Sequence, residues 1–255
     1  MYALLILCFF LYFPHSFVNK LASKNTENKK VLFTFTLYVA SFSALTGLIM
    51  VLVEGATFSF DLVTVLTSFL FGIMLSVCQI ATFYSMRVTS VAVSNMSATA
   101  SVIIPCFVGM LFFNEGVTVG KILGIAIFLI AAYLIIAKDR KDEQHSFSAK
   151  ALFACLLVFL TSGLGSIAMQ LFAEYSVGVS DSVFMFYSYV LNTLILLVFV
   201  LCLQAKNKRA ETEGKVVFPS KLFILGLLIS AITFLCNKST WFWQTKSPLR
   251  YYSPF

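Results

Sequence analysis

Apolar residues fall along this chain in long runs broken by short polar joints. Runs close to the roughly 20 residues that cross a 30 Å hydrocarbon layer occupy positions 2–18, 31–53, 62–86, 91–113, 117–137, 151–173, 183–203 and 222–236. Backbone amides in hydrocarbon must be satisfied within their own segment, so runs of this length predict helices, and the ten-residue alternation of a membrane barrel is absent. The predicted fold is all-α, a polytopic transmembrane helical bundle. Two joints are very short, 87–90 and 114–116, which makes the helices they connect antiparallel neighbours. The first run has no cationic segment before it and no small-residue cleavage site after it, so it is expected to be a retained helix rather than a signal peptide.

Composition agrees with that pattern. The chain of 255 residues is 60% hydrophobic and 11% charged, with a mean hydropathy of +0.93, which excludes an ordinary water-soluble domain. The net charge of +7 does not point to nucleic acid, because the basic residues lie between apolar runs and build no basic face. Their distribution predicts sidedness instead. Lys20, Lys24, Lys29, Lys30, Arg87, Lys138, Arg140, Lys141, Lys150, Lys206, Lys208, Arg209, Lys215 and Lys221 all fall in odd-numbered joints, whereas the even-numbered joints hold Lys121 alone beside Glu54, Asp61, Glu115, Glu174 and Asp181. Cationic joints stay in the cytoplasm, so the odd joints are expected inside and the N-terminus outside, in a multi-pass protein of the plasma membrane.

Cys8, Cys78, Cys106, Cys155, Cys202 and Cys236 lie inside apolar runs, none at CxxC spacing, and read as small packing residues rather than a disulfide framework or a metal site. No nucleophile–base pair, paired aspartates or HExxH motif stands within the helices, so catalysis is not expected and no cofactor is implied.

A 154-residue shift lays Gly72-Ile-Met-Leu-Ser76 over Gly226-Leu-Leu-Ile-Ser230. With five helices in the first unit, an odd number, a second copy starts on the opposite side of the bilayer, giving two inverted repeats. The expected organisation is a five-helix repeat at 1–137, a cytoplasmic linker at 138–150, an incomplete three-helix repeat at 151–237 and an atypical tail at 238–255. That tail holds both tryptophans and two of the five prolines, a composition expected of a reading-frame shift near Ser239.

Ala81-Thr-Phe-Tyr-Ser-Met-Arg87 with Val-Thr-Ser90, Ser101-Val-Ile-Ile-Pro105, Phe113-Asn-Glu115-Gly-Val-Thr118, Gly124 and Phe17-Val-Asn-Lys20 together resemble the EamA-type branch of the drug/metabolite transporter superfamily. The resemblance implies a ten-helix carrier of two inverted five-helix repeats that moves small organic metabolites, often outward. Relative to that pattern the ninth and tenth helices and the second copies of the Pro and Glu motifs are absent, and Asn114 stands where the family usually has Gly. The expected function is an integral membrane carrier whose partners are a small-molecule substrate and the lipid bilayer. A homo-oligomer is compatible with it, and the rival expectation is a truncated, transport-inactive membrane protein.

Polar side chains in mid-membrane are costly unless they face protein or a wet cavity. On that ground His15, Gln79, Ser94, Ser101, Gln170 and Asn192 are the candidate substrate contacts. His15 is the only ionisable side chain deep in an apolar run, which also makes it the candidate for ion coupling. Ser94, Ala98, Ser101, Pro105 and Gly109 recur at helical spacing as one face of small residues, the pattern of close helix packing. Pro105 predicts a kink and frees a carbonyl one turn earlier. Glu115 is expected to complement the N-terminal dipole of the following helix, and Gly120 and Gly124 form a GxxxG packing signal.

Overall fold

A computed structural model describes residues 15–23, 29–112, 119–139, 148–176, 178–208 and 220–246. They are helical apart from the short joints between helices, with no strand among the described residues. Residues 15–23 form α1, followed by α2 (Lys29–Glu54), α3 (Leu62–Val88), α4 (Val91–Ala100), α5 (Ile103–Phe112), α6 (Val119–Asp139), α7 (Ala149–Tyr175), α8 (Asp181–Lys208) and α9 (Ser220–Lys246). Among the described residues five stretches are long and apolar enough to cross a membrane: Val31–Glu54, Leu62–Val88, Val91–Phe112, Ala149–Tyr175 and Asp181–Ala205. Shorter apolar stretches cover Ile122–Ala131 and Phe223–Lys238. Most of the first predicted run and the Glu115 hairpin lie outside the described residues. The last helix continues past the predicted end at 236 to Lys246.

Helix ends follow from local chemistry. Ser90, Ser148 and Ser180 hydroxyls accept from the backbone N–H of Val93, Ala151 and Ser182 at 3.2–3.3 Å, and the Asp61 carboxylate accepts from that of Thr64, so helices start where a short polar residue can take an orphan amide. At the end of α2, Gly55 adopts φ +62°. Its N–H reaches Leu52 O at 3.2 Å, and the Ala56 N–H reaches Val51 O at 3.1 Å. This is a Schellman closure, and a glycine there avoids the steric penalty of left-handed backbone.

The predicted fourth segment is two helices. Pro105 has no N–H to offer Ser101 O, which instead accepts from Ile104 N at 3.0 Å, while Val102 N bonds Thr99 O. The ladder tightens and breaks at Ser101–Val102, one turn before the proline.

Packing divides the chain into two compact units, one drawn from Met1–Ser76 and Ala168–Phe255, the other from Val77–Ile167. In the first unit α2 lies along α8 and α9. Phe33 stacks on Phe199, and Gly47 sits against Phe186, so α2 and α8 run antiparallel. Gly226 meets Phe35 and Val39, and Phe42 meets Phe223 edge to face; with Glu54 paired to Lys238, α9 runs parallel to α2. Ser68 Oγ reaches Phe184 O, Gly72 abuts Ser188 and Ser76 bonds Asn192, so α3 runs parallel to α8. The core of this unit is Phe71, Ala168, Met169, Phe172, Phe184, Met185, Tyr189 and Phe234.

In the second unit the Ser85 and Ser94 hydroxyls bond across the tight α3–α4 joint, and α4 touches α6. Gly163 on α7 lies under Ile104, whose Cβ would stand 2.9 Å from an added methyl.

Candidate functional site

The residues singled out by the sequence separate between the two units. His15, Gln170 and Asn192 belong to the first; Gln79, Ser94, Ser101, Pro105, Gly120 and Gly124 belong to the second.

In the first unit, α8 carries a polar ladder inside an apolar surround. Asn192 is fully buried, and its Oδ1 accepts from Ser76 Oγ at 2.7 Å. That approach depends on Gly72, one turn earlier on α3. A Cβ at Gly72 would lie 2.8 Å from the Ser188 carbonyl oxygen, so glycine lets the helices come close enough for the Ser76–Asn192 bond. One turn before Asn192, the fully buried Tyr189 accepts through its hydroxyl from Asn237 Nδ2 at 2.7 Å. One turn earlier on α9, Thr233 Oγ1 lies 3.0 Å from His15 Nε2, and Asn19 Nδ2 approaches the same ring at 3.3 Å. Thr233 and Asn237 are one turn apart, so a single stripe of α9 fastens it to α1 and to α8.

Gln170 is different: its Oε1 is buried and has no hydrogen-bond partner, a state that costs about 1–3 kcal/mol of desolvation unless a ligand or water relieves it.

In the second unit Ser101 Oγ donates to Ser162 Oγ on α7 at 3.0 Å, and Ser94 pairs with Ser85. Ser94, Ser101, Pro105 and Gly109 are all buried, and both serines spend their hydroxyls on neighbouring helices, so this face packs as a small-residue seam. The carbonyl freed by Pro105 is occupied by the Ile104 amide. Gln79 is half-buried on α3. Gly120 and Gly124 have nothing within 4 Å of an added Cβ, so the GxxxG signal meets no partner helix among the described residues. Glu115 lies outside the described residues.

Sequence reasoning missed Asn19, Ser76, Thr233, Tyr189 and Asn237. For Asn19 a signal existed, since it stands four residues after His15 and hence on the same helix face.

At one end of the first unit, polar groups meet from four helices and their joints. Thr64 and Ser176 hydroxyls lie 2.5 Å apart. Lys238 pairs with Glu54 and donates to Ser182 Oγ at 3.0 Å, while Ser180 Oγ donates to Glu54 Oε2 at 3.2 Å. Beside them Phe60 stacks on Tyr187 with centroids 5.7 Å apart, aromatic rings at a helix end of the kind that anchor at a membrane interface.

No model of a protein family matches the sequence, and no curated protein matches it.

Proposed function

We propose that the protein is a multi-pass carrier of small organic metabolites in the plasma membrane, built on inverted repeats as the EamA resemblance implies. The observation that carries this reading is a reciprocal seating of two glycines. Gly72 of α3 beds on Ser188 of α8, and Gly226 of α9 beds on Phe35 of α2. The 154-residue shift that relates Gly72 to Gly226 relates Ser188 to Thr34, the neighbour of Phe35. Exchanging α2 with α8 and α3 with α9 therefore carries the first contact to within one residue of the second. The antiparallel course of α2 and α8 is what an inverted-repeat axis in the membrane plane requires of two elements that it exchanges. Repeats of this kind interlock, which is why compact units need not follow the sequence halves.

A polar ladder of hydroxyl and amide groups, without fixed charge in mid-segment, suits neutral or zwitterionic solutes. Gln170 is the amide whose oxygen is left for a polar ligand, and His15 is the group able to couple solute to a proton. Rearranging α8 against α3 and α9 would release Asn192 and Asn237 for the same purpose.

Purified full-length chain in proteoliposomes, loaded in turn with neutral and zwitterionic metabolites, tests the reading. Efflux of at least one solute above protein-free vesicles is expected, reduced by Gln170→Leu. If no solute moves faster than in empty vesicles, the carrier reading fails.

A further inference from the structure

Glu54 occupies an electrostatically awkward place. It ends α2, where the helix dipole presents its negative pole, and Asp181 in the first turn of α8 lies within its field. The Schellman turn at Gly55 prevents the chain from simply carrying the carboxylate onward. The two acids repel one another; the N-terminal pole of α8 and the Ser180 hydroxyl offset part of that repulsion, and a cation relieves more of it. Lys238 is that cation. Its ammonium pairs with Glu54, reaches Ser182 Oγ at 3.0 Å and lies in the field of Asp181. One side chain of α9 thus ties the end of α2 to the start of α8. The pair is only partly covered, with 22% of the Lys238 and 32% of the Glu54 side chain exposed, and an ion pair so placed opens readily. Directly beneath, Val51 is one turn before Glu54 and is 1% exposed, and Ser182 is fully buried.

We propose that Glu54, Lys238 and Ser182 form a charged latch that holds this end of the first unit closed over the polar ladder and releases it when the pair parts. The purpose of the latch rests on the carrier reading; its existence does not. Its two states follow from one contact. With Lys238 in place α2, α8 and α9 are drawn together; without it α9 loses its tie to the other two helices and no ammonium offsets the repulsion between Glu54 and Asp181, so the end loosens.

Val51→Cys in the full chain, reconstituted in vesicles, reports the state of the latch through its rate of reaction with a bulky, membrane-impermeant maleimide. The same protein without that substitution supplies the background from the native cysteines. Lys238→Met is expected to raise the rate about fivefold by increasing the open fraction, and Lys238→Glu to raise it further. Combining Lys238→Glu with Glu54→Lys is expected to return the rate to near that of the parent. An unchanged rate in Lys238→Met, or no recovery in the charge-swapped pair, overturns the latch. Should Lys238→Met not reach the membrane, Glu54→Gln takes its place: faster labelling supports the latch and an unchanged rate overturns it. Solute movement is not read in this assay, so a chain that transports nothing still decides the question, and a failed latch leaves the carrier reading standing.

Discussion

An alanine at Gly72 would place its Cβ 2.8 Å from the Ser188 carbonyl oxygen, a backbone atom that cannot swing aside, whereas at Gly226 the nearest atom is a Phe35 ring carbon at 3.5 Å and at Gly124 nothing lies within 4 Å. Gly72→Ala is therefore expected to cost about 1–3 kcal/mol through forced separation of α3 and α8. Gly226→Ala should be near neutral, and Gly124→Ala should gain about 0.5–1 kcal/mol from helix propensity. Melting of the detergent-solubilised full chain ranks the three, and equal melting points would contradict the close approach at Gly72. The same approach supports the Ser76–Asn192 bond, for which a double-mutant cycle with Ser76→Ala and Asn192→Ala should return a coupling of about 0.6–1.7 kcal/mol. A coupling of zero would mean that the two groups do not depend on each other. Asn192 and His15 were legible as polar side chains in apolar runs because their type is expensive there. Their partners were not. Ser76 also bonds its own Gly72 carbonyl at 2.9 Å, as helical hydroxyls do anywhere, so nothing in its local sequence distinguishes a serine that reaches another helix.

Element lengths were legible for the same reason that they form, since an apolar run with internally satisfied amides has few alternatives to a helix. The predicted run 117–137 became Val119–Asp139, and the predicted joint at 87–90 fits between Val88 and Val91. The fourth segment was legible only in part. Proline announces a kink, but the break falls where the backbone can reroute the orphaned carbonyl, at Ser101–Val102. Restoring the missing donor should reverse this. Pro105→Ala offers Ser101 O an N–H in the regular position, so α4 and α5 are expected to fuse and the Ser101–Ser162 bond to weaken. Amide exchange over Ile103–Cys106 should slow in the detergent-solubilised full chain, and unchanged exchange would mean that the break is imposed by packing under Gly163 rather than by the proline. Which elements would share a compact unit was not legible at all, because α3 and α7 read as single uniform runs although each contributes to both units.

At the scale of the whole molecule the arrangement of helices in the first unit bears on the count of crossings. If eight segments alternate across a bilayer, the second and eighth run in one direction and the third and seventh in the other. Those are α2 with α9 and α3 with α8, which the first unit holds as parallel pairs, while α2 and α8, of opposite sense in the same count, lie antiparallel. Parity alone leaves open which surface is which, and the cations supply that sign: fourteen lie in odd joints against one in even joints, and lysine and arginine resist translocation. Two single cysteines measure it. Thr57→Cys sits in the joint after α2, between Glu54 and Asp61, and Asn207→Cys sits among Lys206, Lys208 and Arg209 at the end of α8. In intact cells an impermeant maleimide should react with the first about tenfold faster than with the second, because about 30 Å of hydrocarbon separates the two surfaces. Permeabilising the cells should remove most of the difference. Reaction at both sites before permeabilisation would break the alternation with which the parallel pairs agree, and reaction at Asn207→Cys alone would invert the molecule and place the charged latch on the cytoplasmic side.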